Sequence, residues 1–161
     1  MYIPEINQFT DTEGIVAFME RFTPATIITA KGTFPPATNL PFLVKREKDS
    51  VILSSHFAKA NAQWKEIENN QVLVIFSEPH AYISPRHYES EKSVPTWNYI
   101  AVHAYGQGKI ISAEPDVIEL LERTIDNYDE SYKQQWYRLP EDYKLNMSRG
   151  IVAFDITVTD L

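Results

Sequence analysis

The stretch Val51-Ile52-Leu53-Ser54-Ser55-His56-Phe57-Ala58-Lys59-Ala60-Asn61-Ala62-Gln63-Trp64 runs from an apolar, β-branched start into a knot of polar groups. Val51 to Ser55 has the composition of a strand, and Lys59 to Ile67 reads as a short helix. Between Ser54 and Asn61 the chain gathers two hydroxyls, an imidazole, an ammonium and a carboxamide. A strand end that feeds a helix presents free backbone N–H groups and the positive end of the helix dipole; Ser and Lys add directed donors and charge. That combination suits a phosphate. The same spacing also suits a plainer arrangement, with Ser55 capping the helix and Lys59 in solvent, and spacing alone favours the plainer one.

Strands of the same kind recur on either side. Ala25 to Ala30, Ala37 to Arg46, Val72 to Ser77, Tyr99 to Ile111 and Ile151 to Thr159 each carry β-branched or aromatic residues and are bounded by turn residues or charge. With Val51 to Ser55 they make six. Helices are fewer. Thr10-Asp11-Thr12-Glu13 reads as a capping box that opens a helix over about Asp11 to Phe22, with Ile15, Phe18, Met19 and Phe22 on one face. Glu114-Pro115-Asp116 opens a longer helix carrying Val117, Leu121, Ile125 and Tyr128, and Pro140 to Met147 forms another. A Gly/Pro turn spans Lys31 to Pro36, and Gly106-Gln107-Gly108 inside a strand marks a bulge. Strands outnumber helices and follow one another through short turns. The pattern therefore predicts a mainly β, α+β domain, a closed six-stranded antiparallel barrel with peripheral helices, in preference to a doubly wound parallel sheet.

The totals narrow what such a barrel does. At 161 residues the chain suits one domain, 1–161, with one core. It holds no cysteine, which excludes disulfides, thiolate zinc sites and cysteine nucleophiles. Met1-Tyr2-Ile3-Pro4-Glu5 lacks the basic and apolar parts of an export leader, and no apolar run nears the roughly 18 residues that span a bilayer. The expected setting is cytoplasmic, with no membrane. A formal net charge of −7 repels a phosphodiester backbone at long range, so direct DNA binding by this domain is disfavoured. The nearest thing to a basic patch, Lys31, Lys45, Arg46 and Lys48, is interrupted by Glu47 and Asp49.

Two further knots carry candidate chemistry. In Val94-Pro95-Thr96-Trp97-Asn98-Tyr99, Trp97 and Asn98 can stack on and hydrogen-bond to an aromatic ring system, or Trp97 can simply plug the barrel end, the better bet on composition. In Pro36-Ala37-Thr38-Asn39-Leu40-Pro41, a proline within a strand implies an edge or a bulge, where backbone can face a ligand or merely turn. The histidines His56, His80, His87 and His103 show no metal-ligand spacing, so no metal site is expected, and His103 reads as a half-buried, hydrogen-bonded strand residue. No nucleophile elbow, Walker loop or dinucleotide fingerprint occurs.

Together the knots resemble the PaiB-like family of FMN-binding negative transcriptional regulators, within the FMN-binding split-barrel superfamily. The matching segments are MYIP (1–4), ATNLPFLV (37–44), SSHFAKANAQW (54–64), QVLVIFSEPHAYISP (71–85) and VPTWNYIAVHAYGQG (94–108). From Ile110 onward the likeness lies mainly in the order of helix then strand, and family members continue past the last strand where this sequence stops at Leu161. The resemblance implies an FMN-binding split β-barrel and a homodimer that binds flavin across its two-fold axis. It implies that Ser54, Ser55, His56 and Lys59 hold the FMN phosphate, that Thr38 and Asn39 lie along the ring or ribityl chain, and that Asn61 supports the loop. Thr96 and Trp97 would come from the partner subunit. Lys59, where the family often has Arg, keeps the charge and loses the bidentate fork.

Three functions follow from this reading. The first is a regulator that senses FMN or its redox state without touching DNA through this domain, and the resemblance places it first. The second is a flavin-dependent oxidoreductase, a reductase or oxidase of the same superfamily. The third is a flavin-free dimeric binding module. Fold alone does not separate them.

Overall fold

The computed structural model describes residues 3–30, 33–48 and 50–161. Met1 and Tyr2 of the first matching segment, Lys31 and Gly32 of the Gly/Pro turn, and Asp49 lie outside them. Helix α1 (Thr12–Arg21) is capped by Asp11 and not by Thr10. The Asp11 carboxylate accepts from the backbone N–H groups of Glu13 and Gly14 at 3.2 and 3.1 Å. A carboxylate brings two acceptors and a charge to the positive helix end, which a threonine hydroxyl does not.

Strands β1 (Ala25–Thr29), β2 (Ala37–Leu40), β3 (Leu43–Arg46), β4 (Val51–Ala58), β5 (Gln71–Ile83), β6 (Thr96–Ile111) and β7 (Ile151–Asp160) form one antiparallel sheet in the order β2-β1-β5-β6-β7-β4-β3. Among the described residues there are seven strands where six were expected, because Ala37 to Arg46 is cut at Pro41-Phe42. Pro41 has no N–H for a ladder, and the Phe42 N–H donates to Thr23 Oγ1 at 3.0 Å instead of to a strand. β2 then pairs with β1, and β3 with β4, at opposite edges of the sheet.

That cut determines the shape. Leu40 and Leu43 are three Cα steps apart, so the two outermost strands come within about 11 Å of each other and the sheet must roll up. The ladder stays open between β2 and β3, which makes the barrel split and not closed as expected. Inside it, Ile27, Phe42, Leu53, Phe57, Val74, Phe76, Phe154 and Ile156 are buried, together with Val16 and Met19 of α1. The Phe42 ring lies 6.0 Å from Phe76 and 6.2 Å from Phe154, which itself stacks on Phe57 at 4.8 Å.

Helix α2 (Glu114–Tyr128) covers part of the outer face, where Val117 and Leu120 pack on Leu43, Ile111 and Ala153. α3 (Lys133–Arg138) and α4 (Glu141–Ser148) complete this layer, with Trp136 Nε1 donating to Glu122 at 2.9 Å. The bulge expected around Gly106-Gln107-Gly108 sits beside Gly106, where Tyr105 pairs with Asp160, Gly106 with Val158, and Thr159 of β7 is the extra residue. Gly108 serves close approach: its N–H donates to the Ile67 carbonyl at 3.1 Å, and a Cβ there would stand 2.7 Å from Ile67 Cβ.

Because the Phe42 ring fills the core at the short link that joins the two sheet edges directly, Phe42→Ala is expected to lower stability by about 3–5 kcal/mol. Urea denaturation of the two proteins checks this; a loss below about 1 kcal/mol would mean that the site collapses around the cavity without cost.

Candidate functional site

β4 runs three residues past its expected end, and no α-helix begins at Lys59. Lys59 to Ile67 holds instead a 3-10 turn, Ala62–Glu66, capped by Asn61, whose side-chain oxygen accepts from the Gln63 N–H at 3.0 Å. The strand is extended by its ladder with β7, which continues through Phe57↔Val152 to Ala58↔Ile151. Ser55 therefore lies inside a strand and caps nothing.

Strand alternation now sorts the candidates. Val51, Leu53, Ser55 and Phe57 point into the barrel, and Ile52, Ser54, His56 and Ala58 point outward. Ser55 is buried and donates to the Pro41 carbonyl at 2.6 Å. Ser54 is buried on the other face, between its cross-strand neighbours Leu43 and Asp155, and donates to Asp155 Oδ1 at 2.5 Å. His56 shares that face, half-buried opposite Ala153, and burial lowers its imidazole below the usual range. Lys59 is exposed just beyond the strand, its backbone N–H bonded to the Gly150 carbonyl at 2.8 Å. Ser54 and His56 thus share the outer face of β4, Lys59 follows just beyond its end, and Ser55 faces the other way.

The other candidates fall into two places. Thr38 points inward from β2 and joins Asn61 and the buried Gln63. Asn61 Nδ2 donates to Thr38 Oγ1 at 2.9 Å, Thr38 donates to Gln63 Oε1 at 2.6 Å, and Gln63 Nε2 reaches the carbonyls of Ile27 and Pro36 at 3.2 and 3.1 Å. Asn39, the next residue, points outward and accepts from Thr26 Oγ1 at 2.7 Å. Beyond a register shift at Ser77/His80, β5 and β6 leave the barrel as a two-stranded ribbon. His80 pairs with Tyr99 and Tyr82 with Trp97, so these four rings share one ribbon face. Trp97 lies 5.6 Å from Tyr82 and 6.2 Å from His80, and at 60% exposure it plugs no barrel end. Thr96 pairs with Ile83 on the opposite face.

Sequence reasoning missed Asp155, Gln63 and the ring partners of Trp97. Asp155 left a signal, a carboxylate within the otherwise apolar run Ile151 to Ile156. Gln63 left none, since only the packing of its turn against β1 and β2 buries it. His103 is half-buried in β6 as expected, but its Nδ1 is buried without a hydrogen-bond partner among the described residues, and burial lowers its pKa.

FMN requires positive charge and N–H donors at its phosphate and a flat apolar surface at its ring. The Lys59 ammonium and His56 imidazole are groups that could supply the first, and the exposed face of Trp97 one that could supply the second. Each serine hydroxyl has one proton, already given to Asp155 or Pro41, so either serves a phosphate as donor only by releasing that partner. The residues fit the group.

Fold and donor set define a flavin-binding split barrel. Over residues 1–160 the chain matches the family described as "Putative FMN-binding domain", and it belongs to that FMN-binding family. It is similar to "Protease synthase and sporulation protein PAI 2" of Bacillus subtilis, with 35% identity over 164 residues covering 100% of this chain and 78% of the relative. Among solved structures it is similar to the flavocytochrome Anf3 of Azotobacter vinelandii, with TM-score 0.71 and 20% identity over 98% of this chain and 69% of that one. It is also similar to the FAD and heme binding protein of Mycobacterium smegmatis, with TM-score 0.70 and 14% identity over 94% of this chain and 68% of that one. These two likenesses establish the fold.

The lowered histidines make a signed prediction. The native chain keeps His56 and His103 neutral where the unfolded chain, titrating near 6.5, takes up protons. The unfolded state then binds more protons, so this part of the stability is complete above 6.5 and is lost as pH falls toward the lowered native values. Urea midpoints are expected to drop between about pH 7.5 and pH 5.5, above the range where carboxylates titrate. His56→Gln should reduce the drop, and an undiminished drop in that variant would assign it elsewhere.

Proposed function

We propose that this FMN-binding domain works as a cytoplasmic homodimer in the control of gene expression, with the flavin as the sensed group and no DNA face of its own. The ribbon is the observation that carries the homodimer. Tyr82, Trp97 and Tyr99 are 52, 60 and 59% exposed on one face of a two-stranded arm. Such an arm is marginally stable alone, and a contiguous aromatic patch marks an interaction surface. Ile28, Leu73, Ile75 and Tyr105 continue it as a half-buried outer face of β1, β5 and β6. A second copy meets this surface with the same surface about a two-fold axis. Trp97 of one copy then reaches the flavin whose phosphate is held by His56 and Lys59 of the other, with Thr38 and Asn39 along the ring or ribityl chain.

Support for regulation comes from the similarity to a relative named for protease synthesis and sporulation. Indirect action is supported by the net charge of −7 and by the pairing of the scattered cations: Lys45 with Glu47 at 3.0 Å and Arg46 with Glu13 at 3.1 Å. Among the described residues no helix is long and apolar enough to cross a membrane. The flavin supplies electron-transfer chemistry when bound, so an oxidoreductase is the competing reading, favoured if a nicotinamide donor bleaches the flavin band with turnover.

Purified protein is expected to show a flavin absorbance band and to bind FMN more tightly than riboflavin in fluorescence titrations. Lys59→Ala should weaken FMN about tenfold and leave riboflavin nearly unchanged, given a charge-assisted contact with the phosphate. Equal affinities for the two flavins would remove the phosphate from this site. Sedimentation at micromolar protein should give twice the 18.6 kDa chain mass, and Trp97→Ala should shift it toward monomer. A monomer in the unmodified protein would defeat the two-fold arrangement.

A further inference from the structure

Tyr128 is the last residue of α2, far in sequence from every flavin contact, yet it closes a ring of hydrogen bonds on the barrel split. Its hydroxyl donates to the Phe42 carbonyl at 3.0 Å and lies 2.5 Å from Thr23 Oγ1, which accepts from the Phe42 N–H at 3.0 Å. Tyr128 spends its proton on Phe42, so Thr23 is the donor between the two hydroxyls. Both peptide groups of Phe42 are thereby held by side chains from outside the ladder. The preceding carbonyl, Pro41, is held by Ser55 of β4 at 2.6 Å.

The two residues so held separate two groups of site residues. Thr38 and Asn39 lie on β2 just before the crossing; Leu43 follows it and is the register partner of Ser54, two residues from His56. The relative position of the ring end and the phosphate end of the site depends on how the chain crosses at Pro41-Phe42. We infer that Tyr128, through Thr23 and Phe42, is a positioning residue for FMN, fixing the distance between the two half-sites without touching the ligand. This inference rests on the assignment of Thr38, Asn39, His56 and Lys59 as flavin contacts. A ligand that spans both half-sites gains from their fixed spacing as a linked pair does, and a ligand that uses one does not.

Riboflavin, which lacks the phosphate, is the one-end probe. Dissociation constants for FMN and riboflavin are measured by flavin fluorescence on the full chain, alongside urea midpoints. Tyr128→Phe removes only the hydroxyl and is expected to weaken FMN about five- to tenfold, the effect of one lost hydrogen bond, and riboflavin by under about twofold. Thr23→Val should reproduce that narrowing of the FMN-to-riboflavin ratio, and Thr23→Ser, which keeps the hydroxyl, should restore it. An unchanged ratio in Tyr128→Phe overturns the inference and leaves the site assignment standing. So does an equal loss for both flavins that follows a lowered urea midpoint, since that is destabilisation alone. An unmodified protein that binds both flavins equally defeats the site assignment, and the positioning role falls with it.

Discussion

Phe42 carries the chain from one edge of the sheet to the other, and the constraint it imposes is geometric before it is energetic. Two residues cannot span an open seven-stranded sheet, so joining β2 to β3 through Pro41-Phe42 requires the edges to meet. Crossing the split leaves the backbone without ladder partners, and a buried carbonyl or amide left unpaired costs about 1–3 kcal/mol. Thr23, Ser55 and Tyr128 meet that demand from α1's exit, β4 and α2, and the Phe42 ring anchors the crossing in the core. Helix layer, barrel and split are thus tied at one residue.

The same constraint apportions the polar residues around the site. Ser55 looks like a ligand donor in sequence, but its inward orientation next to the crossing commits its proton to Pro41. Ser54, one position earlier on the outer face, is committed to Asp155. What remains for an anion is the pair that the fold has no structural use for, His56 and Lys59. They differ in kind: Lys59 is exposed to solvent, whereas burial lowers the His56 imidazole below its usual range and so disfavours its charged form. At the proposed phosphate site, charge recognition would therefore rest first on Lys59, and hydrogen-bonding direction on His56.

Most of the strands were legible because each carries β-branched or aromatic residues between turn signals, and Glu114-Pro115 announced α2 by a local rule. What was not legible is long-range. Nothing near Phe57 or Ala58 extends β4; the ladder with Val152 and Ile151, almost a hundred residues later, does. Pro41 marked an interruption, but whether a strand merely bends there or divides to opposite sheet edges depends on which partners β2 and β3 find. The site was legible as a set of residue types and not as a grouping. Strand parity separates Ser55 from Ser54 and His56, and it becomes usable only once the strand is known to reach Ala58. Trp97 was read at the foot of a strand, whereas the β5–β6 pairing carries it out on a ribbon with Tyr82.

The ribbon makes physical sense only beside the split. This barrel leaves β2 and β3 unpaired toward each other and projects a face of four rings into solvent. Tyr82, Trp97 and Tyr99 keep half or more of their surface exposed, and with the adjoining apolar sheet face they form a contiguous patch of the kind that marks an interaction surface. A planar ligand placed in that interface would be covered by one copy's rings and held at its phosphate by the other's cation. Trp97 lies on the projecting ribbon and Lys59 just past the end of β4. In the proposed homodimer, assembly and flavin retention would be coupled, so that a change in the flavin would change how firmly the two copies hold each other.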